Sequence, residues 1–175
     1  FWHSMGGVNG EAMDYLVNKF NEENTDGITV EAVYQGEYDD TINKLKSAQI
    51  GNMGADLVQI YDIGTRFMID SGWVIPMQEL INADGYDISR IEPNIAAYYT
   101  VNNELYSMPF NSSTPILYYN KDMFEKAGIT EVPTSLEGIL AIGDDLKTKG
   151  GAGEPLALSI YGWYFEQWLC KQGLP

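Results

Sequence analysis

The amino-acid sequence predicts an α/β fold with a mainly parallel β-sheet. Segments with apolar residues at helical spacing alternate with short runs of β-branched and other apolar residues that suit buried strands. This alternation is typical of βαβ crossovers, in which a helix connects two parallel strands. The 175 residues are 45% hydrophobic and 13% aromatic. That is enough apolar surface for a packed core and too much for a disordered acidic chain.

The first sixty residues show the alternation most clearly. Residues 10–24 carry apolar side chains at i, i+3, i+4 and i+7 with acidic residues between them, and residues 28–34 alternate in the β-branched pattern of a strand. In chain order we predict the end of a strand at 1–3, a helix at 10–24, a strand at 28–34, a helix at 38–50 and a buried strand at 55–61.

The remainder of the chain is divided by glycine and proline into shorter elements. An Asn102-Asn103 turn joins two brief strands, and Thr134 with Glu137 forms a capping-box pattern in front of a helix. The other predicted elements are helices at 65–71, 77–82, 93–99, 122–127 and 163–171, and strands at 116–120 and 155–160.

The charged and reactive residues exclude several classes of function. The chain has 10 Lys and Arg against 25 Asp and Glu, a formal net charge of −15, so a nucleic-acid backbone would repel it. One cysteine, Cys170, and one histidine, His3, are too few for an internal disulfide or a typical zinc site. No apolar run approaches the roughly 20 residues that cross a bilayer. We therefore expect a globular protein without nucleic acid, metal or cofactor.

Motifs of known enzymes are missing from the sequence. It has no GxSxG, no HExxH, no P-loop lysine and no GxGxxG after a strand. The paired carboxylates Asp39-Asp40 and Asp144-Asp145 fall on polar faces of predicted helices, where they are expected to be solvated charges. We therefore predict a protein that is not an enzyme. The alternative from another class is a carbohydrate-active hydrolase that uses Asp62 with a second acid.

Polar and aromatic residues collect where the predicted strands end. They are residues 3–5, 36–38, 62–65 and 111–114. In open α/β sheets the ligand crevice lies at the carboxyl ends of the strands, so these segments predict a binding site. Taken singly, each residue also suits a turn or a helix cap, as Asp62 and Thr65 do. Trp163, at the start of the last predicted helix, is a further candidate for a cleft because its ring can stack on a polyol.

Four segments resemble the extracellular solute-binding proteins of ABC importers: FWHSM at 1–5, QGEYDD at 35–40, QIYDIGT at 59–65 and PFNSSTPILYYNKDMFEKAG at 109–128. Within that family, the likeness is strongest to the members that bind sn-glycerol 3-phosphate. The resemblance implies a periplasmic-binding-protein-like fold of type II, with two lobes and mainly parallel sheets. It further implies that the chain is the amino-terminal half of such a protein, with a first lobe at 1–110, a hinge crossing at 111–115 and the start of a second lobe at 116–175.

The same resemblance implies four ligand-binding residues: Tyr38, Asp62, Ser113 and Trp163. Asp62 stands where the glycerol-phosphate binders carry Glu, and as a carboxylate it should face the hydroxyl groups of the ligand. The implied ligand is sn-glycerol 3-phosphate or a glycerophosphodiester, and the alternative is a sugar or oligosaccharide. The implied partner is a membrane permease, and the protein is expected as a monomer outside the cytoplasmic membrane, free or held there by a lipid anchor.

Overall fold

The structure is a computed structural model that describes residues 1–51 and 53–173. The chain divides into two compact units, Phe1–Ser112 and Ser113–Pro175. The division falls inside the segment 111–115, where a hinge crossing is expected from the sequence. No helix in the described ranges is long and apolar enough to span a bilayer.

A small parallel sheet begins the first unit. Strand β1 (Trp2–His3) pairs in parallel with β2 (Val33–Tyr34), and on its other side Trp2 forms a parallel bridge with Val58. Trp2 donates its N–H to the carbonyl of Leu57 and accepts from the N–H of Gln59, both at 2.9 Å. The three predicted strand segments are therefore parallel where they pair, and β1 lies in the centre.

The strands of this sheet are shorter than the sequence pattern predicts. Only Val33–Tyr34 of the expected strand at 28–34 is regular, and the expected strand at 55–61 is reduced to the bridge at Val58. A strand is regular only where a neighbour supplies hydrogen-bonding partners, and β1 is two residues long. Upstream of β2, the Asn21 side chain takes the place of a strand by bonding both the N–H and the carbonyl of Val30 at 2.8 Å.

Two helices connect the three sheet segments along the chain. Helix α1 (Gly7–Glu23) starts three residues before the predicted helix, and α2 (Tyr38–Ile50) has the predicted bounds. α2 begins at a capping box in which Glu37 and Asp40 bond each other's backbone N–H groups. Its buried side chains are Thr41, Ile42 and Leu45, whose spacing places them on one face of the helix.

The loop-rich middle of the first unit follows the prediction closely. It contains α3 (Thr65–Ser71), α4 (Met77–Asp84), α5 (Pro93–Tyr98) and a hairpin of β3 (Thr100–Val101) with β4 (Glu104–Leu105). Asn102 and Asn103 both have positive φ, 53° and 66°, as a two-residue hairpin turn of the primed type requires. The buried apolar side chains of this unit are Met13, Ile42, Leu45, Met68, Ile81 and Leu105.

The second unit is helical in its described range, 113–173. It contains α6 (Lys121–Ala127), α7 (Leu136–Thr148) and α8 (Gly162–Lys171), with a small core of Phe124, Ala127 and Leu146. The strands predicted at 116–120 and 155–160 are wrong, since both segments are irregular. No strand lies in 113–173 to pair with them, and the apolar side chain of Ile116 stays 72% exposed. The predicted parallel sheet is therefore absent from this range.

The first turn of α7 differs from the predicted capping box. The N-cap is Ser135, whose hydroxyl accepts a hydrogen bond from the N–H of Gly138 at 3.1 Å. The expected cap, Thr134, lies one residue too early, because Ser135 has the extended backbone from which an N-cap side chain reaches the first turn.

Candidate functional site

Tyr38 stands where β2 passes into α2. Gly36, between them, has φ +99°, which a side chain would strain, and it lets the chain turn sharply at the end of the strand. The reciprocal capping bonds of Glu37 and Asp40 then fix the first turn of α2. Tyr38 is the first residue of that turn, so its backbone is held on both sides.

The Tyr38 ring is stacked on a second tyrosine. The centroids of Tyr38 and Tyr61 are 5.6 Å apart and their planes differ by 6°. The Tyr61 hydroxyl donates to Oδ1 of Asp39 at 2.7 Å, a bond to a charged acceptor. The segment that follows the bridge at Val58 is thereby tied to the first turn of α2.

Asp62 follows Tyr61 and begins a single 3₁₀ turn, Asp62–Gly64. Its Oδ1 accepts from the N–H of Ile63 at 2.9 Å, and its Oδ2 accepts from the hydroxyl of Tyr98 at 3.4 Å. The N-cap of this turn is Tyr61 and not Asp62, so the interpretation of Asp62 as a helix cap is wrong, and its role as a ligand-binding residue stays a prediction. One carboxylate oxygen satisfies the turn, and the other faces a hydroxyl group.

The Asp62 carboxylate affects the pKa of Tyr99. Burial raises the pKa of the Tyr99 phenol above its ordinary 10.0, and the nearby Asp62 carboxylate raises this pKa further. A hydrogen bond with the Ser112 side chain acts in the opposite direction, and Tyr38 also contributes to the rise. The phenol of Tyr99 is therefore neutral at pH 7, and it lies within electrostatic range of both Tyr38 and Asp62.

A chain of hydrogen bonds connects the sheet to Tyr38. The backbone N–H of Ser4 donates to Oε1 of Gln59 at 2.9 Å, and Nε2 of Gln59 donates to Oδ1 of Asn111 at 2.9 Å. Nδ2 of Asn111 then donates to the hydroxyl oxygen of Tyr38 at 3.4 Å. Gln59 is only 8% exposed, so its amide is held in a largely dry environment.

The structure brings two of the four expected site residues together. Tyr38 and Asp62 lie in the first unit, joined through the Tyr38–Tyr61 stack and through Tyr99. Ser113 and Trp163 belong to the second unit. Ser113 is exposed at the start of that unit, and Trp163 is in the first turn of α8, with ring centroids 6.5 Å from Tyr161 and 5.6 Å from Tyr164. The binding roles of all four remain predictions.

Four residues of the region around Tyr38 and Asp62 were not predicted as site residues from the sequence. They are Gln59, Tyr61, Tyr98 and Tyr99. Gln59 and Tyr61 alternate with apolar residues in a segment expected to be a buried strand. A polar side chain in a buried strand needs a hydrogen-bond partner, and this was the signal in the sequence that could have identified them. The adjacent aromatics Tyr98 and Tyr99 at the end of α5 offered a weaker one.

The cluster of side chains around Tyr38 and Asp62 is chemically suited to hydrogen bonds with hydroxyl groups. Its side chains are phenols, amides, hydroxyls and the carboxylates of Asp39 and Asp62, so every member is neutral or anionic. Carboxylates accept strong hydrogen bonds from hydroxyls, and tyrosine rings offer a flat apolar face with a polar edge. In residues 1–51 and 53–173, no group of three His, Cys, Asp or Glu is arranged to hold a metal ion.

Residues 6–175 match the family model for bacterial extracellular solute-binding proteins, and the chain belongs to that family. It is 41% identical over 134 residues to the sn-glycerol-3-phosphate-binding periplasmic protein UgpB of Salmonella paratyphi A, an alignment that covers 74% of this chain and 30% of the relative. It is 36% identical over 157 residues to UgpB of Escherichia coli K12, covering 86% of this chain and 35% of that protein.

A solved structure is similar in fold as well as in sequence. UgpB from Mycobacterium tuberculosis, in complex with glycerophosphocholine, superposes with a TM-score of 0.73 at 28% identity. The comparison covers 83% of this chain and 37% of that one. The chain therefore spans about a third of the length of the relatives it matches.

Proposed function

We propose that this chain is part of the solute-binding component of an ABC importer that takes up sn-glycerol 3-phosphate or a glycerophosphodiester. The component would work outside the cytoplasmic membrane, in the periplasm or at the cell surface, and deliver its ligand to a membrane permease. Its architecture would be the two-lobed type II fold, with the ligand held between the lobes. The similarity to UgpB proteins, one of them solved with glycerophosphocholine, supports this assignment.

The structural observation that carries the proposal is the stack of Tyr38 on Tyr61, the residue directly before Asp62. Two residues from distant parts of the chain follow the two parallel segments that flank β1, at the carboxyl ends where α/β proteins bind ligands. In the proposal the Asp62 carboxylate accepts hydrogen bonds from the glycerol hydroxyls. Its charge would repel a phosphate, so the phosphate is held by other groups.

Ser113 and Trp163 are the proposed contributions of the second unit. The Ser113 hydroxyl would donate to a phosphate oxygen, and the Trp163 ring would cover the apolar face of the glycerol chain. Such binding needs hydrogen bonds and shape but no nucleophile, base or metal. We therefore propose reversible capture of the ligand without chemical change.

Calorimetry on the full-length protein tests this function. Glycerol 3-phosphate, glycerophosphocholine and maltose are titrated in turn, and the ligand is afterwards recovered and examined by phosphorus NMR. The proposal predicts saturable binding of at least one phosphate compound, no binding of maltose, and an unchanged ligand. Binding of maltose without either phosphate compound would assign the protein to sugar uptake, and release of free phosphate or choline would make it a hydrolase.

A further inference from the structure

Resting on the proposed function, we infer that Asn111 is a positioning residue that makes the Tyr38 hydroxyl a hydrogen-bond donor toward the ligand. Asn111 acts through Tyr38, and its own orientation is set from within the sheet. The consequence is a preference for ligand atoms that accept hydrogen bonds, such as phosphate oxygens, at the Tyr38 hydroxyl.

The direction of every hydrogen bond between Ser4 and Tyr38 follows from the first bond, which the backbone N–H of Ser4 donates. A backbone N–H can only donate, so the N–H of Ser4 requires Gln59 to present its oxygen, Oε1, at 2.9 Å. The NH₂ group of Gln59 must then face the other way, where it meets Oδ1 of Asn111 at 2.9 Å. An amide that accepts at its oxygen presents its own NH₂ on the opposite branch.

The last bond fixes the role of Tyr38. Nδ2 of Asn111 lies 3.4 Å from the Tyr38 hydroxyl oxygen, the longest of the three bonds, and it can only donate there. The hydroxyl oxygen is therefore an acceptor toward Asn111. Its proton must point elsewhere, which leaves Tyr38 able to donate to a ligand oxygen.

Other contacts keep the direction of these hydrogen bonds from reversing. Gln59 is 8% exposed, so water has little access to its amide. Ser4 is itself held by its hydroxyl, which lies 2.6 Å from the Thr41 hydroxyl on the buried face of α2. The Tyr38 ring is held by the stack on Tyr61. The torsion of the Tyr38 hydroxyl proton about its C–O bond is consequently the main freedom left in this hydrogen-bond chain.

A double-mutant cycle tests the role of Asn111 in binding. Asn111→Ala, Tyr38→Phe and the double variant of the full-length protein are titrated with glycerophosphocholine, and Asn18→Ala, on the exposed surface of α1, is the matched control. We expect Asn111→Ala to weaken binding by about fivefold, the effect of one ordinary hydrogen bond. The same substitution should have almost no effect once Tyr38 is Phe. Equal losses in both backgrounds, or no loss in either, would overturn the inference.

Neutron diffraction on deuterium-exchanged crystals tests the polarity without any ligand. The expected result is a deuteron on Nδ2 of Asn111 directed at the Tyr38 oxygen, with the Tyr38 deuteron directed away from Asn111. A Tyr38 deuteron directed at Asn111 would contradict the inference. If the protein binds no phosphate compound at all, the proposed function fails, and the neutron result still decides the bond direction.

Discussion

The rings of Tyr38 and Tyr61 lie nearly parallel, with centroids 5.6 Å apart and an angle of 6° between their planes. Tyr38 opens α2, and Tyr61 ends the segment that bridges to the central strand. Because Tyr61 also donates to Asp39, the stack joins two chain segments that are distant in sequence. It therefore fixes the Tyr38 ring against Tyr61, the residue directly before Asp62.

Removal of the Tyr61 ring should weaken ligand binding through Tyr38. We expect Tyr61→Ala to lower the affinity for glycerophosphocholine by about threefold to tenfold, since a stacked aromatic pair contributes about 0.5–1.5 kcal/mol beyond its buried area. Tyr61→Phe keeps the ring and removes the hydroxyl that donates to Asp39, so its affinity should stay close to that of the parent. Calorimetric titration of both variants measures this. Equal losses in the two would mean that the hydroxyl, and not the stacking, supports the site.

Substitution of Gly36 should destabilise the turn that presents Tyr38. Its φ of +99° is unfavourable for a residue with a side chain, and an added Cβ would lie 2.6 Å from Oδ2 of Asp40. Since Asp40 caps α2, we expect Gly36→Ala to cost about 1–3 kcal/mol of unfolding free energy, measured by urea denaturation.

Gly143→Ala is the control for this experiment. Gly143 lies inside α7, and its nearest neighbour to an added Cβ is at 3.7 Å, an ordinary contact. Alanine is the better helix former, so this variant should gain about 0.5–1 kcal/mol. A Gly36→Ala variant as stable as the parent would show that the turn does not depend on glycine.

Protonation of His3 should destabilise the fold in mildly acidic solution. His3 is 3% exposed, its Nδ1 accepts from the N–H of Met5 at 3.3 Å, and burial lowers its pKa below 6.5, with Asp14 opposing the shift. The unfolded chain therefore takes up a proton at a higher pH than the folded chain. The contribution of neutral His3 to the free energy of unfolding is complete above about pH 6.5. It is lost as the pH falls from there toward the lower pKa of His3 in the folded chain.

The measurement is the urea midpoint between pH 7.5 and pH 5.5 for the parent and for His3→Asn, whose side-chain oxygen can replace Nδ1 as acceptor. We expect the parent midpoint to fall with decreasing pH and the variant midpoint to change much less. Parallel curves would assign the acid sensitivity to other groups.

The helices could be predicted from the sequence better than the strands. Helices α2 and α3 have the predicted bounds because their hydrogen bonds are local and their ends are marked by nearby turns. A strand needs a partner, and the segments at 116–120 and 155–160 have strand-like composition but no neighbouring strand within 113–173. The length of a strand therefore depends on pairing with a second segment, and the sequence pattern of one segment alone does not show that partner.

The candidate site could be predicted in part for the same reason. Tyr38 and Asp62 follow predicted parallel segments, so their common edge of the sheet was predictable. The bonds that reach these two residues come from distant parts of the chain: Tyr98 donates to Asp62 across 36 positions, and Asn111 donates to Tyr38 across 73 positions. Such contacts are set by the packing of α5 and the segment after β4, which no local pattern specifies.

The most direct test of the account is a calorimetric titration of glycerophosphocholine into the full-length protein and its Asp62→Asn variant. Asp26→Asn, at an exposed position, is the control that removes the same charge elsewhere. A hydrogen bond to a charged group is worth about 1.5–3 kcal/mol, so Asp62→Asn should bind about tenfold to a hundredfold more weakly while Asp26→Asn binds like the parent. Equal affinity of the parent and Asp62→Asn would contradict the assignment of this carboxylate to the ligand.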